Sequence, residues 1–98
     1  MNQTICDAIR NRCVLQFTYA DHPRIVEPHA YGLKKRTLKE VLRCYQTGGT
    51  SRSDNVPGWT PMEVDKIEFL IVTKEHLEGV RPKYRRGDKS MSKIFCQL

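Results

Sequence analysis

Ninety-eight residues carrying a formal net charge of +6 hold a single hydrophobic core and leave no room for a second. A hydrophobic content of 39 % is that of a folded domain rather than a disordered tail, and no run approaches the roughly 20 apolar residues that a membrane span needs. The polar start, Met1 to Thr4, leads into a charged amphipathic segment instead of an apolar signal core, so the expected compartment is the cytoplasm. The excess of positive charge favours an anionic partner, because phosphates are attracted electrostatically.

Residues 1–98 read as one domain: a helix over about 2–12, strands over about 14–73, and a basic arm with a last strand over 80–98. In the first segment Ile5, Ala8, Ile9 and Cys13 recur at helical spacing, which makes one apolar face. From Val14 the period drops to two, with Leu15, Phe17 and Tyr19 on one side and Gln16 and Thr18 on the other. Asp21, His22 and Pro23 supply a turn, and Arg24 to Pro28 reads as a short antiparallel strand that Pro28 ends or places at an edge.

His29 to Lys34 can continue extended, Lys34 to Lys39 reads as a hairpin tip, and Glu40 to Gln46 as a strand with Leu42 and Cys44 opposed to Val41, Arg43 and Tyr45. Gly48 to Gly58 is a flexible loop in which Pro57 and Gly58 suit the middle of a type II turn. Trp59 to Asp65 follows, with Met62 and Val64 on one face, and the nearly continuous apolar run Ile67 to Thr73 predicts a buried strand. Beyond Gly79 the chain turns basic, and Ile94 to Leu98 closes it as a last strand. The expected core is Ile5, Ile9, Phe17, Val26, Leu42, Val64, Ile67 and Phe69.

Cys6, Cys13, Cys44 and Cys96 allow two disulfides by arithmetic, but a cytoplasmic chain is expected to keep them reduced. Their spacing lacks the C-x-x-C step, and His22, His29 and His76 are not clustered with them, so no metal is expected.

One helix and five or six short strands in about 100 residues imply a mainly β domain built on a strongly bent antiparallel sheet or small barrel. At this point the sequence resembles the WYL domain of bacterial regulators. The resemblance rests on A-I-x-N-R-x-V-L-x-F-x-Y at Ala8 to Tyr19, R-I-V-E-P at Arg24 to Pro28, E-V-L at Glu40 to Leu42 and V-D-K-I at Val64 to Ile67, and covers Ile5 to about Val72. It implies an SH3-like or Sm-like barrel that senses a nucleic-acid or nucleotide-like effector, here free-standing, with a DNA-binding or defence protein as a possible partner. Arg24 matches the family's arginine before its V-x-P step, and Lys66 a basic position. Glu40, Val41 and Leu42 stand where the family has its naming tripeptide, so the tryptophan and tyrosine are missing, and Thr60 replaces an arginine.

The residues themselves offer two candidate surfaces. Arg24, Arg43 and Tyr45, joined by His29 and Tyr31 if the chain stays extended, would set guanidinium forks beside aromatic rings, the chemistry of phosphate neutralisation and base stacking. The C-terminal arm gathers Lys83, Arg85, Arg86 and Lys89 around Tyr84, as a nucleic-acid patch does. Trp59 is either a further platform or a core residue. No nucleophile with a base, paired carboxylates or phosphate-cradling glycine loop is apparent, so the expectation is binding without cofactor, not catalysis. A sequence-tolerant single-stranded nucleic-acid binder and a module that dimerises through a strand edge are the alternatives.

Overall fold

The computed structural model describes Met1–Leu98. Helix α1 spans Gln3–Arg10 and starts where the Asn2 side chain accepts the Ile5 N–H at 3.1 Å. It ends as Arg12 takes a left-handed φ of 55°, which turns the chain into β1, Cys13–Tyr19. Strand β2 is His22–Lys34, β3 Glu40–Gly49 and β4 Gly58–Glu63. A 3-10 turn at Val64–Lys66 precedes β5, Glu68–His76, and β6 is Met91–Gln97.

All pairings are antiparallel, in the order β4-β3-β2-β1-β5, with β6 added alongside β2. The protein is thus mainly β, a six-stranded sheet under one short helix. β4 and β5 end the sheet and do not pair with one another, so it stays open. β2 organises the rest: its first half pairs with β1 through Val26, and its second half pairs with β6 from Ala30 on. Pro28, expected at a strand end or an edge, lies inside this central strand, in the gap between those two partners, where its missing N–H interrupts no ladder on that side. At Gly32 a side chain would collide with the Lys93 carbonyl, so only glycine lets β6 lie this close.

The main core joins Ile5, Cys6, Ala8 and Ile9 of α1 to Leu15, Phe17, Val26, Tyr31, Leu42, Cys44, Met62 and Cys96. Each large apolar side chain withdrawn from water here contributes about 1.5–3 kcal/mol. Five expected core residues, Ile5, Ile9, Phe17, Val26 and Leu42, are fully buried. Val64 and Ile67 are half-buried, and Phe69 is 78 % exposed. The apolar run at β5 is therefore not a buried strand. It forms one end of the sheet, bordered only by β1, and the helix packs on β1, β2 and β6 instead.

Two further expectations are corrected. Cys6 and Cys96 form a disulfide with Cα atoms 5.5 Å apart, leaving Cys13 and Cys44 free, so the chain does not hold four thiols. Spacing along the chain gives no sign of this bridge because 90 residues separate its ends, and only the packing of α1 on β6 brings them together. Gly58 has no positive φ and opens β4 after a cis Val56–Pro57 bond, so the loop does not make a type II turn there. No helix is long and apolar enough to cross a membrane.

Candidate functional site

The segment between β5 and β6 folds back over the β2–β3–β4 face that points away from α1. Ala30, Val41 and Met91 form a small second core there, with Tyr84 and Ile94 packed against it. Of the expected strand face, Arg43 is thereby brought beside the expected basic arm.

Glu27 and Arg81 fasten the arm. The Arg81 guanidinium donates from Nε and Nη2 to the two carboxylate oxygens of Glu27 at 2.6 and 3.0 Å, and its carbon lies 4.7 Å from the centroid of the Tyr45 ring. Glu27 holds the Arg81 guanidinium above its ordinary pKa. Beneath them His29 is fully buried: its Nδ1 donates to the Glu27 carbonyl at 2.9 Å, and its Nε2 accepts the Arg81 main-chain N–H at 3.1 Å. Those two bonds define a neutral Nδ1–H imidazole, and burial lowers its pKa.

An aromatic cluster rises from this base. Trp59 meets His29 and Tyr45 edge-on at 4.7 and 5.5 Å and lies nearly parallel to Tyr84, at 22° with centroids 6.2 Å apart. The indole donates to the Pro82 carbonyl at 2.9 Å, and the Tyr84 hydroxyl lies within reach of the His29 and Leu98 main-chain oxygens at 3.3 and 3.1 Å. Trp59 and Tyr84 remain half-exposed, at the wall of an open hollow of about 690 Å³ that Arg43, Lys83, Arg85, Arg86 and Lys89 also line. Asp88 is the one acid there. Its carboxylate accepts Arg43 Nε at 2.5 Å and the Ser90 N–H and hydroxyl at 2.9 and 2.6 Å. Partial burial pushes the Asp88 carboxyl up, but the bonds from Ser90 and Arg43 outweigh it and leave the pKa below the ordinary value.

The other expected contacts lie elsewhere. Arg24 is on the opposite face of the sheet from Arg43 and Tyr45, only 6 % exposed, donating to the Tyr19 carbonyl at 3.0 and 3.3 Å and to Gln46 Oε1 at 3.1 Å. Burial lowers its pKa, and no carboxylate pairs with it. Tyr31 is fully buried in the main core, where its hydroxyl donates to the Glu40 carboxylate and accepts the Asn2 N–H, and burial raises its pKa to about 12. His29 and Tyr31 point to opposite faces because the β2–β3 register slips by one residue between Pro28 and Ala30, a bulge that resets the alternation. Tyr45 lies under Arg81 rather than in the hollow, and Lys66 is exposed and paired with Glu63 at 2.6 Å.

Arg81, Glu27 and Asp88 hold the site together, and no local feature of the sequence marks them as site residues. Their opposite charges are visible in it, but partners 54 and 45 residues apart leave no local pattern. Compared with protein families, curated proteins and solved structures, the chain matches none of them.

Proposed function

We propose that this chain is a binding module for a nucleic-acid or nucleotide-like anion, taken up in the hollow between the arm and β3–β4. The observation that carries this reading is the pair of half-exposed, nearly parallel rings of Trp59 and Tyr84 set among Arg43, Lys83, Arg85, Arg86 and Lys89. Rings offer a stacking face to any base, and the cations neutralise the backbone that carries it. Of the strand-face residues expected from the sequence, Arg43 alone joins the arm in the hollow, while Arg24 and Tyr31 serve the core and His29 and Tyr45 support the arm.

The resemblance to WYL domains supports a regulatory, effector-sensing role on a small-barrel type of fold, with a DNA-binding or defence protein as the partner that reads the bound state. Cytoplasmic residence belongs to the same proposal, and the Cys6–Cys96 bridge is the feature that argues against it, since such bonds persist mainly in oxidising compartments.

Trp59 is the single tryptophan of the chain and reports on the hollow directly. Titration with a short single-stranded oligonucleotide at about 50 and about 200 mM salt should quench its fluorescence, with affinity falling as salt rises. No change at the lower salt rejects the reading.

A further inference from the structure

We propose, on the basis of the binding role assigned to the hollow, that its ligand is a single nucleic-acid strand several nucleotides long, and that the β2–β3 hairpin tip, Lys34 to Arg36, is a second subsite for the backbone of that strand. Lys34, Lys35 and Arg36 are exposed, Leu33 to Lys39 contain no acid, and none of the three cations pairs with a carboxylate. Lys39, by contrast, is taken up by Glu63 at 3.6 Å.

The path of the arm ties this tip to the hollow. At one end the Arg81 main-chain N–H donates to His29 Nε2 at 3.1 Å. At the other the Lys35 N–H donates to the Ser90 carbonyl at 3.0 Å, and Lys34 pairs with Met91 where β6 begins. The arm thus runs alongside β2 from His29 to the tip, with Lys83, Arg85, Arg86 and Lys89 between the two attachments. Alternation along β2 from Ala30, part of the small core beneath the arm, through Gly32 places Lys34 on the same face of the sheet. Asp88 is the only acid from Gly79 to Leu98, and Arg43 occupies it. Lys83, Arg85 and Lys89 pair with no carboxylate, so uncompensated positive charge continues from the rings to the tip.

Length decides between one nucleotide and a strand. Trp59 lies opposite Tyr45, which lies opposite Glu27, and Lys34 is seven residues further along β2. At the rise of a twisted strand that distance is about 20 Å, which corresponds to about six nucleotides stacked at about 3.4 Å each. A single nucleotide stacked on Trp59 or Tyr84 does not reach the tip. A strand occupies both places, because the rings accept any base and the cations follow the backbone.

Titration of Trp59 fluorescence with oligothymidylates of about two to about ten nucleotides, at about 50 mM salt, tests this. Affinity should climb with length to about six nucleotides and then level off. Lys34→Gln, Lys35→Gln and Arg36→Asn together remove three exposed charges and keep the turn, since Asn accepts the left-handed φ of 70° found at Arg36. With circular dichroism unchanged, this variant should bind the hexanucleotide about tenfold more weakly, with a slope of log affinity against log salt shallower by about two. It should bind a dinucleotide as the wild type does. Affinity already maximal with the dinucleotide, or a variant that holds the hexanucleotide like wild type, overturns the proposal and leaves the hollow as the whole site. Inorganic polyphosphate bound as tightly as the hexanucleotide also overturns it, because the rings then contribute nothing. Absence of quenching at every length rejects the binding role of the hollow and this proposal with it.

Discussion

The Glu27 carboxylate and the Arg81 guanidinium, 54 residues apart in the chain, meet through two hydrogen bonds of 2.6 and 3.0 Å and so fix where the basic arm begins. Glu27 is nearly buried, whereas the Arg81 side chain is 39 % exposed, so water screens part of the attraction. Arg81→Met should therefore cost only about 1–2 kcal/mol in denaturant unfolding, mostly from the acceptor left unpaired. Its larger effect should be local. Trypsin should cut the variant after Lys83, Arg85 or Arg86 well before the wild type, and equal cleavage rates would show that the pair does not hold the arm.

Binding and stability should separate between the residues of the hollow and Arg24. Replacing Lys83, Arg85 or Lys89 by Ala should make the dependence of log affinity on log salt shallower by about 0.7 per charge on a single strand, and Trp59→Leu, followed by anisotropy of a labelled oligonucleotide, should weaken binding by about 1–3 kcal/mol. Arg24→Ala should leave the salt dependence alone and instead lower stability by about 1–3 kcal/mol, because Gln46 and the Tyr19 carbonyl lose their donor. A reduced salt slope in the Arg24 variant would place that residue at the ligand after all.

Stability should fall in mild acid because of His29. Its folded pKa is lowered by burial, so below about pH 6.5 the unfolded chain takes up this proton more readily than the folded one. The contribution is complete above about pH 6.5 and is lost as pH drops from there through the lowered folded value, at no more than about 1.4 kcal/mol per pH unit. Urea unfolding at pH 7.5 and 5.5 should show the loss, and His29→Gln should reduce it. An identical pH profile in that variant would assign the effect to other groups.

The bridge between α1 and β6 makes a countable prediction. Alkylation of the unfolded, unreduced protein should modify two cysteines, Cys13 and Cys44, and four after reduction. Closing a loop that spans nearly the whole chain restricts the unfolded state, so Cys6→Ser with Cys96→Ser should cost about 2–4 kcal/mol. Four reactive cysteines without reductant would return the chain to the reduced state expected from its composition.

Several of these elements are legible in local sequence because their cause is local. Ile5, Ala8 and Ile9 repeat at the helical period and are buried together. Leu15 and Phe17 alternate with Gln16 and share the core. Lys34 to Lys39 turns between β2 and β3, and the basic arm announces itself by composition. Such features depend on residues at most a few positions apart, where backbone geometry alone relates side chain to side chain.

Tertiary structure decided the rest. A one-residue bulge before Ala30 sends His29 to one face and Tyr31 to the other, because the strand period of two transmits any slip to every later side chain. Arg24 and Arg43 are both arginines on strands, yet the first serves the core and the second lines the hollow. The apolar run of β5 reads as interior, but its position at the end of the sheet leaves Phe69 in water. Cys6 finds Cys96, and Glu27 finds Arg81, only after the chain closes loops of 90 and 54 residues. Composition and local periodicity determined a small basic β domain, whereas contacts across such distances depend on which elements pack together, and no periodicity along the chain encodes that.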